Sequence, residues 1–377
     1  MPLFYDLDGL GADAARVADR LAALRTAMQN HPTLPDQSVP GKNTSNTLLL
    51  ATWNIKEFDG GQADKRTDES YWYIAEIISH FDLVAIQEVG ANLDGLEKLK
   101  NRLGSTWRYV VSDVTEGKAG NYERLAFLFD RRKIRFSGVA GEIVIPPTED
   151  AHGNRIAPSE QLARTPTIVG FEAGWFRFML STVHIIWGKS AEEHPARVAE
   201  IQTIASFLKD RSEDVNAWSH NMVLLGDFNI FSAGQSNAAY AAIVENGFVI
   251  PESLQEIPPT NVGAKPRFYD QIALRTRENN LEPTGRGGVV DYYETVYRDA
   301  DYEAYVPAMM DGKAEDDPQN KLTYNTKGVF RTENQRRSYY RNHWRRRQVS
   351  DHLPMWLELK IDFGENYLQK RLVQVRV

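Results

Sequence analysis

Carboxylate, amide and imidazole residues adjoin one apolar run after another in this sequence. Short apolar runs form strands, and the strand ends along one edge of layered sheets provide a rigid base for a site. Any one such residue also fits ordinary turn chemistry, but their repeated occurrence favours a shared site. In chain order they are Asn54 after 48–53, Gln87 and Glu88 after 83–86, His184 after 178–183, Asp227 and Asn229 after 222–225, and Asp351 and His352 just before 355–359.

These residue types predict a site for a hard divalent cation. Oxygen ligands without any cysteine suit Mg²⁺, with Mn²⁺ or Ca²⁺ as alternatives, rather than structural zinc. The absence of cysteine also excludes a disulfide framework and a thiol nucleophile.

The composition is that of a folded protein with a large core. The chain has 377 residues, 42% of them hydrophobic, and its net charge of −7 argues against non-specific coating of nucleic acid. Residues 1–6 lack the basic and apolar regions of a signal peptide, and no run approaches the roughly 20 apolar residues of a membrane span. We therefore expect a soluble, cytoplasmic protein.

Strand-like and helical patterns alternate along the chain and must position these polar residues. Several of the strand-like runs are apolar on both faces, which is typical of internal strands in stacked sheets. The strand-like runs are 47–53, 82–86, 122–129, 175–184, 222–225, 268–274 and 355–361, and the helical patterns are 70–79, 93–103 and 195–208.

The two ends of the chain differ from the region between them. Residues 12–29 have the apolar spacing of an amphipathic helix, and a polar, proline-containing linker follows up to residue 46. This helix either packs back on the main domain, which we favour, or binds a protein partner. We divide the chain into an N-terminal helix and linker (1–46), a main domain (47–362) and a tail (363–377).

Five short motifs resemble those of the endonuclease/exonuclease/phosphatase superfamily in their order and rough spacing. The resemblance spans about residues 47–362 and implies an α/β fold, a four-layer, two-sheet β-sandwich flanked by helices. It also implies a metal-dependent phosphodiesterase. The motifs are Thr52-Trp53-Asn54, Ile86-Gln87-Glu88, Thr182-Val183-His184, Gly226-Asp227-Phe228-Asn229 and Ser350-Asp351-His352.

Two further segments narrow the resemblance. Tyr122-Glu123-Arg124 resembles the matching segment of pancreatic-type deoxyribonucleases, in which the equivalent Glu pairs with the histidine corresponding to His184. The strand containing Asp270 is similar to the family's "YDRI" strand, whose Asp orients the final histidine. Gln271 stands where many relatives have Arg, so the phosphate contact of that Arg is not carried over.

The resemblance implies a metal site and a water-activating group. Glu88 is then the main ligand of Mg²⁺, with Asn54 and Asp351 close to the ion or its waters. Asp227 positions or deprotonates the attacking water, and Asn229 fixes that water or a phosphate oxygen.

The two histidines act on the phosphate in the same scheme. His352, oriented by Asp270, contacts the scissile phosphate, and His184, oriented by Glu123, does likewise or protonates the leaving group. A carboxylate partner raises the pKa of an imidazole and favours its charged form, which suits phosphate binding. Arg124 is either a phosphate contact or a strand residue paired with a neighbouring carboxylate.

A polar, tyrosine-rich segment at 276–348 reads as an insertion, and it ends in a basic, aromatic run at 331–347. In that run Arg341, Trp344 and Arg345 are candidate substrate contacts, since cations track phosphates and rings stack on bases. The alternative is that these cations contact the chain's own carboxylates.

Three functions remain open from the sequence. We favour a metal-dependent nuclease, with DNA as the expected substrate and internal cleavage as the expected mode. The second is a phosphatase or phosphodiesterase acting on phosphoinositide, sphingomyelin-type or small nucleotide substrates. The third is a binding protein with a degenerate site, which the filled catalytic positions disfavour.

Overall fold

The strands of this protein form two mixed sheets, as seen in a computed structural model that describes residues 2–31, 34, 37–59, 66–116, 120–149, 152, 155–156, 161–188, 193–263, 265–276 and 280–375. In chain order the strands are β1 (Thr47–Phe58), β2 (Leu83–Val89), β3 (Trp107–Val111), β4 (Arg124–Asp130), β5 (Arg135–Glu142), β6 (Thr148–Glu149), β7 (Arg155–Ile156), β8 (Thr167–Ala173), β9 (Phe176–His184), β10 (Met222–Asp227), β11 (Asp270–Arg275), β12 (Pro283–Val289) and β13 (Met355–Lys360).

Helices flank the two sheets and complete the α/β sandwich that the sequence predicts. They are α1 (Ala14–Gln29), α2 (Asp68–Ser79), α3 (Asp94–Leu103), α4 (Pro195–Glu213), α5 (Ala238–Glu245), α6 (Tyr302–Met310), α7 (Glu333–Tyr339), α8 (Arg345–Gln348) and α9 (Gly364–Val375), with a π-helical turn at Tyr340–Trp344 and 3-10 turns at Phe4–Asp13, Glu252–Leu254 and Asp299–Asp301. No helix in the described part of the chain is long and apolar enough to cross a membrane.

The first sheet has the strand order β12-β13-β1-β2-β4-β3, and the second has the order β11-β10-β9-β8-β5. β6 and β7 form a separate two-stranded ribbon. Each large sheet contains one parallel pair, β1 with β2 and β9 with β10, so the carboxyl ends of these strands meet at the same edge of their sheet. The predicted polar residues at strand ends lie at these edges.

The core between the sheets contains side chains such as Phe127 of the first sheet and Phe171 of the second, which are fully buried with their ring centroids 5.8 Å apart. Gln87 adds a polar contact there, because its Nε2 donates to Thr52 Oγ1 in the first sheet (3.1 Å) and to Thr182 Oγ1 in the second (2.8 Å). A buried amide with both partners satisfied fixes how the sheets align below the site.

The N-terminal helix packs against the main domain, which confirms the favoured of the two predictions. The apolar stripe of α1 is buried, and Arg25 forms a two-point ion pair with the buried Glu76 of α2 (2.7 and 2.9 Å). The predicted insertion differs from expectation at its start. Residues 283–289 are the edge strand β12, which pairs antiparallel with β13, so they belong to the first sheet.

Candidate active site

Strand register brings three polar residues together at the edge of the second sheet. β10 lies between β9 and β11, and Asp227 is the register partner of His184 on one side and of Asp270 on the other. The Nε2 atom of His184 lies 3.6 Å from Asp227 Oδ2. His352, which precedes β13, lies opposite with its Nε2 atom 3.8 Å from the same oxygen. One carboxylate oxygen is thus flanked by two imidazoles.

The first sheet contributes Asn54 and Glu88 to the same place. Asn54 Nδ2 donates to Glu88 Oε1 (2.9 Å) and to Asp227 Oδ2 (3.0 Å). Both neighbours are carboxylates, so the amide nitrogen must face them and the amide oxygen must face away. Asn54 Oδ1 is buried and has no hydrogen-bond partner in the described part of the chain.

The backbone around this pair is strained. Glu88 and Glu57 adopt positive φ values of 61° and 43°, a region that side chains with a Cβ rarely occupy. The amide of Glu57 donates to Glu88 Oε2 (2.8 Å), so both carboxylate oxygens of Glu88 have a donor. Strain of this kind is retained where the surrounding structure holds a functional group in place.

His352 is held by a fully buried carboxylate. Its Nδ1 atom lies 2.9 Å from Asp270 Oδ2, which agrees with the expected orienting role of Asp270. Burial opposes the charged imidazole, but Asp270 and Asp227 outweigh it and raise the pKa of His352 to about 10. Burial also raises the pKa of Asp270. The pair therefore retains a proton at neutral pH, which leaves a cation beside Asp227.

His184 has its own carboxylate, as expected from the sequence. Its Nδ1 atom lies 2.7 Å from Glu123 Oε2, and Arg164 Nε donates to that oxygen at 3.0 Å. Burial opposes the ionisation of Glu123, but the hydrogen bond and charge of His184 lower its pKa to about 2. Burial and Arg164 lower the pKa of His184, and the carboxylates of Glu123 and Asp227 raise it further than that, so the net direction is upward.

Asn229 orients Asp227 through the backbone. Its amide nitrogen donates to Asp227 Oδ1 (2.8 Å), and its side-chain Nδ2 donates to the carbonyl of Ile185 (2.8 Å). Asn229 has a positive φ of 53°, which the turn after β10 requires. Asp227 therefore has hydrogen-bond donors on both carboxylate oxygens, one from Asn229 and one from Asn54.

The donor set fits one Mg²⁺ ion that keeps most of its waters. Within the described ranges, no three carboxylate, imidazole or thiol groups converge as ligands of a metal. Mg²⁺ needs only one or two protein carboxylates, and Glu88 supplies one. The unpartnered Asn54 Oδ1 would join Glu88 as a ligand once the amide turns over, because its nitrogen now faces Glu88. The third expected ligand, Asp351, instead forms an ion pair with Lys56 (2.7 Å).

The expected substrate contacts have structural partners. Trp344 is only 3% exposed and packs on Tyr305, so stacking on a base is wrong for this residue. Arg345 is 8% exposed and donates to the carbonyl of Tyr297 (3.1 Å), so a substrate contact is wrong for it too. The remaining two form ion pairs at half-buried or exposed positions: Arg341 with Asp299 (2.9 Å) and Arg124 with Asp113 (3.3 Å).

Three cationic side chains near the site lie outside the sequence motifs and were not predicted. Lys56 pairs with Asp351, and Arg164 pairs with Glu123. Arg66 is almost fully buried and donates to the carbonyls of Lys56, Glu57 (3.2 Å) and Val349 (3.2 Å). It thereby ties the segment after Asn54 to the segment before Asp351. The guanidinium of Arg66 also lies over the Phe58 ring, 5.1 Å from the ring centroid.

The comparisons with known proteins agree with this architecture. No protein-family model matches the sequence, and no curated protein matches it. A solved structure of an endonuclease/exonuclease/phosphatase family protein from Bacteroides thetaiotaomicron matches with a TM-score of 0.50 and 17% identity, over 84% of this chain and 99% of that chain.

Two further solved structures are similar at slightly lower scores. TDP2 from D. rerio, complexed with a single-strand DNA product, has a TM-score of 0.49 and 13% identity over 83% of this chain and 98% of that one. The mannosyl-6-phosphatase Bt3783 from Bacteroides thetaiotaomicron VPI-5482 has a TM-score of 0.44 and 16% identity, over 83% and 99%. Identities this low establish the fold alone, and the first match carries that conclusion. The chain has the two-sheet α/β sandwich fold of endonuclease/exonuclease/phosphatase proteins.

Proposed function

We propose that this protein is a metal-dependent hydrolase that cleaves phosphodiester bonds of nucleic acid, with DNA as the expected polymer and internal cleavage as the expected mode. The observation that supports it best is the convergence on Asp227 Oδ2 of two imidazoles and the Asn54 amide. A carboxylate between two carboxylate-supported histidines suits the transfer of water to a phosphate.

Asp227 is the general base in this proposal. The attacking water gives a proton to Asp227 as its oxygen bonds to phosphorus. The bond from phosphorus to the leaving oxygen breaks, and that oxygen takes a proton from His184. The amide donors of Asn229 and Asn54 hold the Asp227 carboxylate in one orientation throughout.

His352 holds the charge of the phosphate. Its raised pKa of about 10 keeps it a cation, which suits electrostatic stabilisation better than proton donation at neutral pH. His184 suits the acid role because Glu123 holds its ring and supports its charged form. Mg²⁺ bound by Glu88 and Asn54 would neutralise charge on the phosphate and on the leaving oxygen.

Product analysis tests this proposal. An internally cleavable, end-labelled oligonucleotide and a panel of phosphate monoesters, including a phosphoinositide and a sugar phosphate, are incubated with the protein and Mg²⁺. We expect internal fragments of the oligonucleotide and no inorganic phosphate. Release of inorganic phosphate from the monoesters without oligonucleotide fragments would instead identify a phosphatase.

A further inference from the structure

The arginines of the basic run at 331–347 fall into two groups by their partners. The first group is neutralised by carboxylates of the same chain, so these side chains stabilise the segment. These pairs are Arg336 with Glu315 (2.8 Å), Arg337 with Glu303 (2.6 Å), Arg341 with Asp299 (2.9 Å), Arg345 with Asp299 (3.0 Å) and Arg347 with Glu57 (3.0 Å).

The charges of the second group are not neutralised by carboxylates of the described residues. Neither Arg331 nor Arg346 has an ion-pair partner among the residues that the structure describes. The guanidinium of Arg331 lies over the Tyr339 ring at 5.0 Å. Arg346 Nη2 donates to the neutral side chain of Asn342 (3.2 Å). Positive charge without a partner is available to an anion from solution.

The charged arginines surround one exposed histidine. The pKa of His343 is lowered by the partial burial of its side chain and then by the positive charges of Arg331, Arg346, Arg347 and Lys56. His343 also stacks on Tyr339 with ring centroids 5.9 Å apart. We name the group Lys56, Arg331, His343, Arg346 and Arg347 the cationic surface. Lys56 and Arg347 each pair with a carboxylate, so the unpaired charge of this surface is that of Arg331 and Arg346.

The cationic surface adjoins the candidate active site. Its member Lys56 contacts Asp351 at 2.7 Å, and Asp351 directly precedes His352. Its member Arg347 donates to Glu57 Oε2 (3.0 Å), and the amide of Glu57 donates to Glu88. The cationic surface therefore reaches the metal side of the site through its two ion-paired members, and its unpaired arginines lie farther along the segment that ends at residue 348.

We propose that Arg331 and Arg346 bind backbone phosphates of a nucleic-acid strand that continues beyond the scissile bond. This inference rests on the proposed function and specifies its substrate as a polymer, since a mononucleotide has no phosphate to place there. Phosphate contacts of this kind position the strand without reading its sequence, and they make binding depend on salt.

Charge-matched variants test the proposal by binding rather than turnover. The inactive background is D227N, and the probe is a fluorescent single-stranded oligonucleotide whose anisotropy is measured at several salt concentrations. R331Q/R346Q removes the two unpaired arginines, whereas R336Q/R337Q removes two ion-paired arginines of the same segment. Both change the net charge equally. Melting curves confirm that each variant is folded, and R331K/R346K restores the charge.

The first variant should bind about tenfold more weakly, and its slope of log affinity against log salt should fall by about 1.4, since each lost contact to a single strand contributes about 0.7. The control should change affinity less than about twofold, and the lysine variant should recover most of the loss. Equal losses in both glutamine variants, or none in either, would overturn the proposal, as would a failure of the parent protein to bind the oligonucleotide. Binding by the parent without metal-dependent cleavage by the wild type would keep this surface and reject the proposed hydrolase.

Discussion

The amide nitrogen of Asn54 lies 3.0 Å from Oδ2 of Asp227, and this contact joins two strands that belong to different sheets. Asn54 is on β1 of the first sheet, and Asp227 ends β10 of the second. The site is therefore assembled by the packing of the sheets and not by either sheet alone. The same amide lies between Asp227 and Glu88 and keeps the two carboxylates apart.

The substitution N54D should disable the site while preserving its shape. It replaces a shared donor by a third carboxylate, so like charges repel where a hydrogen-bonded bridge stood. We expect hydrolysis to fall by at least about a hundredfold, and the free energy of unfolding to fall by about 1 to 3 kcal/mol. Turnover and urea denaturation measure the two effects. Wild-type turnover in N54D would show that the bridge has no role.

The substitution E88Q should weaken metal binding directly. Glu88 is the carboxylate available for Mg²⁺ in our proposal, and a neutral amide in its place lowers affinity by at least about tenfold. Titration with Mn²⁺, followed by electron paramagnetic resonance, measures the dissociation constant without any substrate. The matched control is E97Q, since Glu97 pairs with Lys100 on the surface of α3. Equal affinities for E88Q and E97Q would remove Glu88 from the metal site.

The substitution D270N should affect turnover more than substrate binding. Asp270 contacts His352 at 2.9 Å and reaches the phosphate only through that ring, so it is a positioning residue. Asparagine leaves the imidazole in place but favours the wrong tautomer and removes the support for its charge. We expect kcat to fall by about a hundredfold or more with KM within a few-fold of wild type. A change confined to KM would contradict this assignment.

The ion pair between Glu123 and His184 should make stability depend on pH. The pKa of Glu123 is lowered from about 4.5 to about 2, so its contribution is present above about pH 4.5 and is lost as pH falls toward 2. The pKa of His184 is raised above 6.5, so its contribution is present below that pH and is lost as pH rises through the raised value. The pair therefore stabilises the fold most between about pH 4.5 and 6.5.

Denaturation of wild type and E123Q over a pH series checks this dependence. We expect the difference in unfolding free energy to be about 2 kcal/mol near pH 6 and to shrink as the solution approaches pH 2. Conversely, a difference that stays constant over the acid range would mean that His184 does not stabilise the ionised form of Glu123.

Much of the fold could be predicted from the sequence because several strands are apolar runs that end in a polar residue. His184 and Asp227 each close an apolar run, and register then places them side by side. β12 lacked that signal because it is glycine-rich. A Cβ on Gly287 would lie 2.8 Å from Leu254 Cδ2 and 3.0 Å from the backbone oxygen of Trp356, so the tight packing at this position favours glycine. β5 is an edge strand with mostly exposed residues, so no apolar alternation marks it.

The site itself was predictable where motifs fix residue type and order, as for Glu123 with His184. The partners of the basic run were not, because arginines occur on every face of its helical turns. Which of them face inward depends on distant carboxylates such as Asp299, and only the folded chain brings these together. Arg345 and Arg346 are adjacent in sequence. Arg345 is buried and packs on the Tyr293 ring, whereas Arg346 has no ion-pair partner among the described residues.

Nicking of supercoiled plasmid DNA by wild type and D227N, each with Mg²⁺ and with excess EDTA, shows whether Asp227 activates water for metal-dependent cleavage. D227N keeps the volume of the side chain and removes the general base. We expect wild type with Mg²⁺ to convert the plasmid to nicked circles, and EDTA or the substitution to lower this rate by at least about a thousandfold. Nicking that persists in EDTA, or equal rates for D227N and wild type, would contradict this mechanism.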